Sequence, residues 1–73
     1  MDVTVALKKC RDQFAFYEKE HREKAERLMA NSGYKEAAAS LVKADTNREF
    51  VEMADMALQA QACADAAPRA ADA

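Results

Sequence analysis

Apolar residues recur along the first thirty positions in alternating steps of four and three. Val3, Leu7, Cys10, Phe14, Tyr17, His21, Lys24 and Leu28 fall on that spacing, the seam of a helix that packs on another helix. Residues 3–30 hold neither Gly nor Pro, and Asp2 or Thr4 can cap the start. Asn31, Ser32 and Gly33 form the one strong break, and Gly33 is the natural stop for the first helix. A second stretch without Gly or Pro predicts a helix over 34–62, with Ser32 as its cap. So short a connection makes the two helices antiparallel neighbours. Residues 63–73 are Ala-rich and carry Pro68, which predicts a flexible tail beyond a hairpin domain spanning 1–62.

The second helix has an apolar face too wide for one partner. At about 100° per residue, Val51, Ala54 and Leu58 lie to one side of Phe50, and Met53, Met56 and Ala57 to the other. Phe16 lies outside the seam of the first helix among charged neighbours. Phe16, Phe50, Met53 and Met56 are therefore the expected subunit interface. The predicted class is all-α: an antiparallel two-helix hairpin that oligomerises into a helical bundle.

Composition sharpens this. Of the 73 residues 51% are apolar, but eighteen of these are alanines, which bury little area. Chains below roughly 70–80 residues rarely hold themselves with one core, and a homo-oligomer is the simplest remedy. The formal charge of −2, with both signs interleaved, lacks the basic stripe of a DNA-binding surface. Pairs such as Glu18–Arg22 and Glu23–Arg27 are spaced to link successive turns. No apolar run approaches a membrane span and no leader-like segment opens the chain, so a cytoplasmic protein is expected. Cys10 and Cys63 are offset by about 12 Å along the hairpin, too far to bridge, and are expected to be reduced.

The polar seam positions hold the candidate chemistry. A turn at 32–33 pairs residues whose numbers sum to about 65. Leu7 then faces Leu58 and Phe14 faces Val51, a dry half. Nearer the turn Tyr17, His21 and Lys24 approach Lys43, Asn47 and Arg48, with Gln13 one turn from Tyr17. One account is structural: hydrogen bonds satisfy His21 and Asn47, the lysines reach water, and Asp45 or Glu20 pairs with them. The other is a site. Lys24, Lys43, Arg48 and His21 supply charge, Gln13 and Asn47 amides, and Tyr17 a ring, an inventory suited to a small anionic ligand such as a nucleotide.

The run Cys10, Gln13, Phe14, Phe16, Tyr17, His21 and Lys24, followed by Lys43, Thr46 and Asn47, resembles small helical accessory proteins of bacteriophages and prophages. The resemblance spans roughly residues 7–58. It implies a counter-defence role, either a sponge that sequesters a cyclic nucleotide immune signal or, as in anti-CRISPR proteins, direct binding to a host defence protein. A location in the host cytoplasm follows from the same resemblance. A structural coiled-coil assembly piece is the third reading.

An enzyme is not expected. Cys10 and His21 stand about 16 Å apart on one helix, too far for a nucleophile and its base. One His and two distant Cys make no zinc set, and no Gly-rich phosphate loop occurs. No cofactor or metal is implied. Sequestration needs none of these, because it requires only tight binding of the ground state.

Overall fold

A computed structural model describes residues 2–66. Helix α1 spans Val3–Ala30 and helix α2 spans Tyr34–Ala66, folded back on each other as an antiparallel hairpin. The chain is thus an all-α helical hairpin. Asp2 caps α1, its carboxylate accepting from the Thr4 amide at 2.9 Å. Helix α2 runs four residues past the expected 62, and the part of the proposed tail beyond Ala66 lies outside the described residues. Ala64 and Ala66 favour helix, and the next breaker is Pro68.

The turn differs in one detail from the expectation that Gly33 stops the helix and Ser32 caps the next. Ser32 itself takes the left-handed conformation, with φ 63°. Its amide donates to the Met29 carbonyl at 3.1 Å, and the Gly33 amide to the Leu28 carbonyl at 2.7 Å. These two bonds satisfy carbonyls that the helix end leaves open. Gly33 is needed for space instead. A Cβ there would sit 3.2 Å from the Leu28 carbonyl oxygen and 3.4 Å from Leu28 Cδ2. The Gly33 carbonyl then accepts from Ala37, opening α2.

The seam also turns out rotated. Leu7, Phe14, His21 and Leu28 are half-buried as expected, but Arg11, Glu18 and Ala25 complete the heptad in place of Cys10, Tyr17 and Lys24. On α2 the matching set is Ala37, Ser40, Ala44, Asn47, Val51, Ala54 and Leu58, again in steps of three and four. The reason is size. Ala25, Ala37 and Ala44 are at most 1% exposed, and their small side chains let the backbones close together. The deepest packing therefore lies near the turn, the half expected to be polar. In the other half Val51 and Ala54 are buried, while the Phe14 and Phe50 rings meet at 5.0 Å between centroids.

Two substitutions test this packing. Ala44→Leu, at a fully buried seam position, should lower stability by about 1–3 kcal/mol through overpacking, whereas Ala39→Leu on the exposed side should stay within about 0.5 kcal/mol. Urea melts followed by circular dichroism measure both, and equal effects contradict a small-residue seam. Ser32→Gly should raise stability by about 1 kcal/mol in the same assay, since glycine enters the left-handed region without a Cβ clash.

Candidate functional site

The rotated seam gives the hairpin two unlike flanks. On one, Arg11 reaches Asp55 at 3.6 Å and Asp12 at 3.1 Å. Arg22 joins Glu18 and Asp45, each at 3.1 Å, and Arg48 joins Glu18 at 3.9 Å and Glu52 at 3.3 Å. Glu18 is the hub, its side chain only 16% exposed between the two arginines. Its hydrogen bond to Arg22, and then that of Asp45, push the guanidinium pKa up. Three of these pairs cross between the helices and lock the register, which matches the sum of about 65 read from the turn position.

The opposite flank carries the aromatic and sulfur side chains. By helical phase Cys10, Gln13, Tyr17 and Lys24 of α1 share it with Lys43, Phe50 and Ala57 of α2. Gln13 Nε2 donates to the Tyr17 hydroxyl at 3.1 Å, and the Tyr17 ring stands edge-on to Phe16 at 5.8 Å. Met53 points further outward on this side, while Phe16 and Met56 lie by phase on the outer faces of α1 and α2; the three are 62%, 57% and 69% exposed. An open apolar hollow of about 280 Å³ lies at the α1 start, lined by Val5, Ala6, Lys9 and Cys10.

The seven proposed ligand residues therefore divide. Tyr17, Gln13, Lys24 and Lys43 fall on the apolar flank, and His21 and Asn47 are half-buried at the seam. Arg48 lies across the seam from them, held by Glu18 and Glu52. Asn47 Nδ2 donates to the Lys43 carbonyl at 2.8 Å, which ties one amide hydrogen to its own helix. Lys24 and Lys43 are exposed to water. Asp45, proposed as their counter-ion, serves Arg22 instead. Among the described residues neither lysine has a carboxylate within ion-pair distance. The cross-helix ion pairs set Lys24 opposite residue 42 or so, which places Lys43 about 2 Å from it along the axis, and Tyr17 lies about 10 Å from Lys24 along α1.

Both cysteines are free and exposed. Among the described residues no group of His, Cys, Asp or Glu is arranged to hold a metal ion, no buried side-chain polar atom lacks a partner, and no helix is long and apolar enough to cross a membrane. What sequence reasoning missed is the charged flank. Its signal was present in Arg11 and Glu18, which follow Leu7 at the same four-three spacing as the apolar set. Compared with known proteins, the chain matches no family model, no curated protein and no solved structure.

The hub gives a direct test. Glu18→Ala takes one carboxylate from each of two arginines, which keep Asp45 and Glu52, and should cost about 0.5–1 kcal/mol, while Glu18→Leu should lose less because it restores apolar contact in the seam. Chemical denaturation at low and at 1 M salt reads both, and a Glu18→Ala loss that salt leaves unchanged would show that the ion pairs contribute nothing.

Proposed function

We propose that the hairpin is a non-enzymatic binding protein of the phage counter-defence kind, which sequesters a small anionic ligand such as a cyclic nucleotide immune signal. The observation that carries this reading is the shared flank of Lys24, Lys43, Tyr17 and Gln13, across the seam from the paired arginines. Arg11, Arg22 and Arg48 are neutralised by carboxylates on one side. Lys24 and Lys43 stand on the other, with no carboxylate at ion-pair distance among the described residues, on the side of Tyr17 and Gln13. Phosphate oxygens accept charge-assisted hydrogen bonds from lysine, and a nucleobase finds in Tyr17 a ring to lie against. The resemblance of the Gln13-to-Lys24 and Lys43-to-Asn47 segments to small phage proteins supports the same role. His21 and Asn47 line the seam edge of this site, and Arg48 belongs to the charged flank.

A second reading is favoured by a different observation, the exposure of Phe16, Met53 and Met56. There the hairpin is an interaction protein whose apolar side docks on a host defence protein, or a coiled-coil assembly piece.

Titration calorimetry against cyclic di- and trinucleotides and cyclic ADP-ribose isomers tests the first reading. Binding is expected with at least one of them. Lys24→Ala and Lys43→Ala should each weaken it tenfold or more, Tyr17→Ala less, with helicity retained. Higher salt should weaken it further, because the site is open to solvent. No heat with any of these ligands, together with a host protein recovered in stoichiometric amount, decides for the second reading.

A further inference from the structure

The chain has one histidine, and it stands half-buried on the seam, at the edge next to the apolar flank. Imidazole is the side chain that changes charge between about pH 5 and 8. What a proton on His21 does depends on the charges around it. On α1 the ionisable groups one turn away are Tyr17, Glu18 and Lys24. The cross-helix ion pairs set residue 21 level with residue 45 or so, which brings Lys43, Asp45 and Arg48 of α2 within one turn of it. The acids of this set are already engaged. Glu18 lies between Arg22 and Arg48, and Asp45 holds Arg22 at 3.1 Å. By phase Arg22, Asp45 and Arg48 lie on the far side of the seam. Among the described residues no carboxylate stands within ion-pair distance of His21. The charges that share its side are those of Lys24 and Lys43.

The ring is open to protons. Among the described residues it makes no side-chain hydrogen bond, and no buried side-chain nitrogen lacks a partner, so its nitrogens meet water. Two ammonium groups and an imidazolium repel one another, and a phosphate lying among them attracts all three. Bound anion and ring proton therefore favour each other. The preference is mutual: a ligand that promotes protonation is itself held more tightly by the protonated ring.

We propose that His21 makes anion binding at the Lys24–Lys43 site proton-coupled, so that the site takes up a proton as it fills and holds its ligand more tightly as pH falls. This rests on the ligand reading above and adds the regulation of that site. A phosphodiester suits such coupling, because its charge is constant over the range in which imidazole titrates. A terminal phosphate loses charge over the same range as the ring gains it.

Titration calorimetry of the full chain with cyclic di-AMP and cyclic di-GMP, at about pH 8, 7 and 5.5, tests the coupling. Affinity for whichever binds should rise about three- to tenfold from the highest pH to the lowest, with helicity by circular dichroism unchanged. Near the middle of that range the binding heat should vary with the ionisation enthalpy of the buffer, which reads proton uptake directly. As the single histidine, His21 also gives the one imidazole C–H signal in the proton NMR spectrum. Saturating ligand should move that signal towards its acid position. His21→Gln should make affinity independent of pH, and so should His21→Lys, which keeps its charge throughout. Ligand held through Lys24 and Lys43 with equal affinity at every pH overturns the proposal while the site itself stands. A pH dependence that survives in His21→Gln has the same meaning. No binding at any pH overturns the site and the proposal together.

Discussion

Close approach of two backbones through alanine governs the rest of this hairpin. Ala25, Ala37 and Ala44 hold the positions of deepest burial. A leucine there would hold the helices apart and form a conventional apolar seam. With alanine, the adjoining residues at the heptad edges decide which way each helix turns. The rotation that buries Ala25 carries Lys24 and Tyr17 out of the seam and draws Glu18 in. The division into an ionic and an apolar flank is a result of that one rotation.

The ionic flank contributes specificity more than strength. Exposed ion pairs are worth little singly, about 0–1 kcal/mol, and salt screens them. Their value lies in register. A slip of one residue along α2 would separate Arg11 from Asp55 and Arg22 from Asp45 together, whereas a row of alanines distinguishes poorly between neighbouring alignments. The turn fixes one end of the alignment, with Gly33 pressed against Leu28, and the ion pairs fix the remainder.

The fold was legible in the sequence because two long segments lack Gly and Pro and the single glycine stands between them. The helix bounds of α1 and the antiparallel pairing follow from those facts alone. The seam was half legible. Leu7, Phe14, His21 and Leu28 announce a period of seven, but the alternate positions are ambiguous. Cys10, Tyr17 and Lys24 compete with Arg11, Glu18 and Ala25, and simple hydropathy favours the first set while backbone proximity favours the second. The candidate site inherits that ambiguity. Tyr17, Gln13, Lys24 and Lys43 reach a common flank by surface phase and not by burial. Arg48 leaves them because its neighbours Glu18 and Glu52 hold it across the seam. Pairwise competition of this sort depends on rotation angle, which no local pattern specifies.

The tight turn also bears on how the molecule comes together in time. Ala25 and Ala37 lie close in sequence, so closing the chain between them loses little entropy, whereas Phe14 and Phe50 are joined by a long loop until the intervening pairs form. Pairing is cheapest at the turn and proceeds outward, so the alanine layer closes early and the aromatic pair late. The sticky side chains of the open end are therefore the last to find their places, at a stage when the nascent hairpin already presents them side by side.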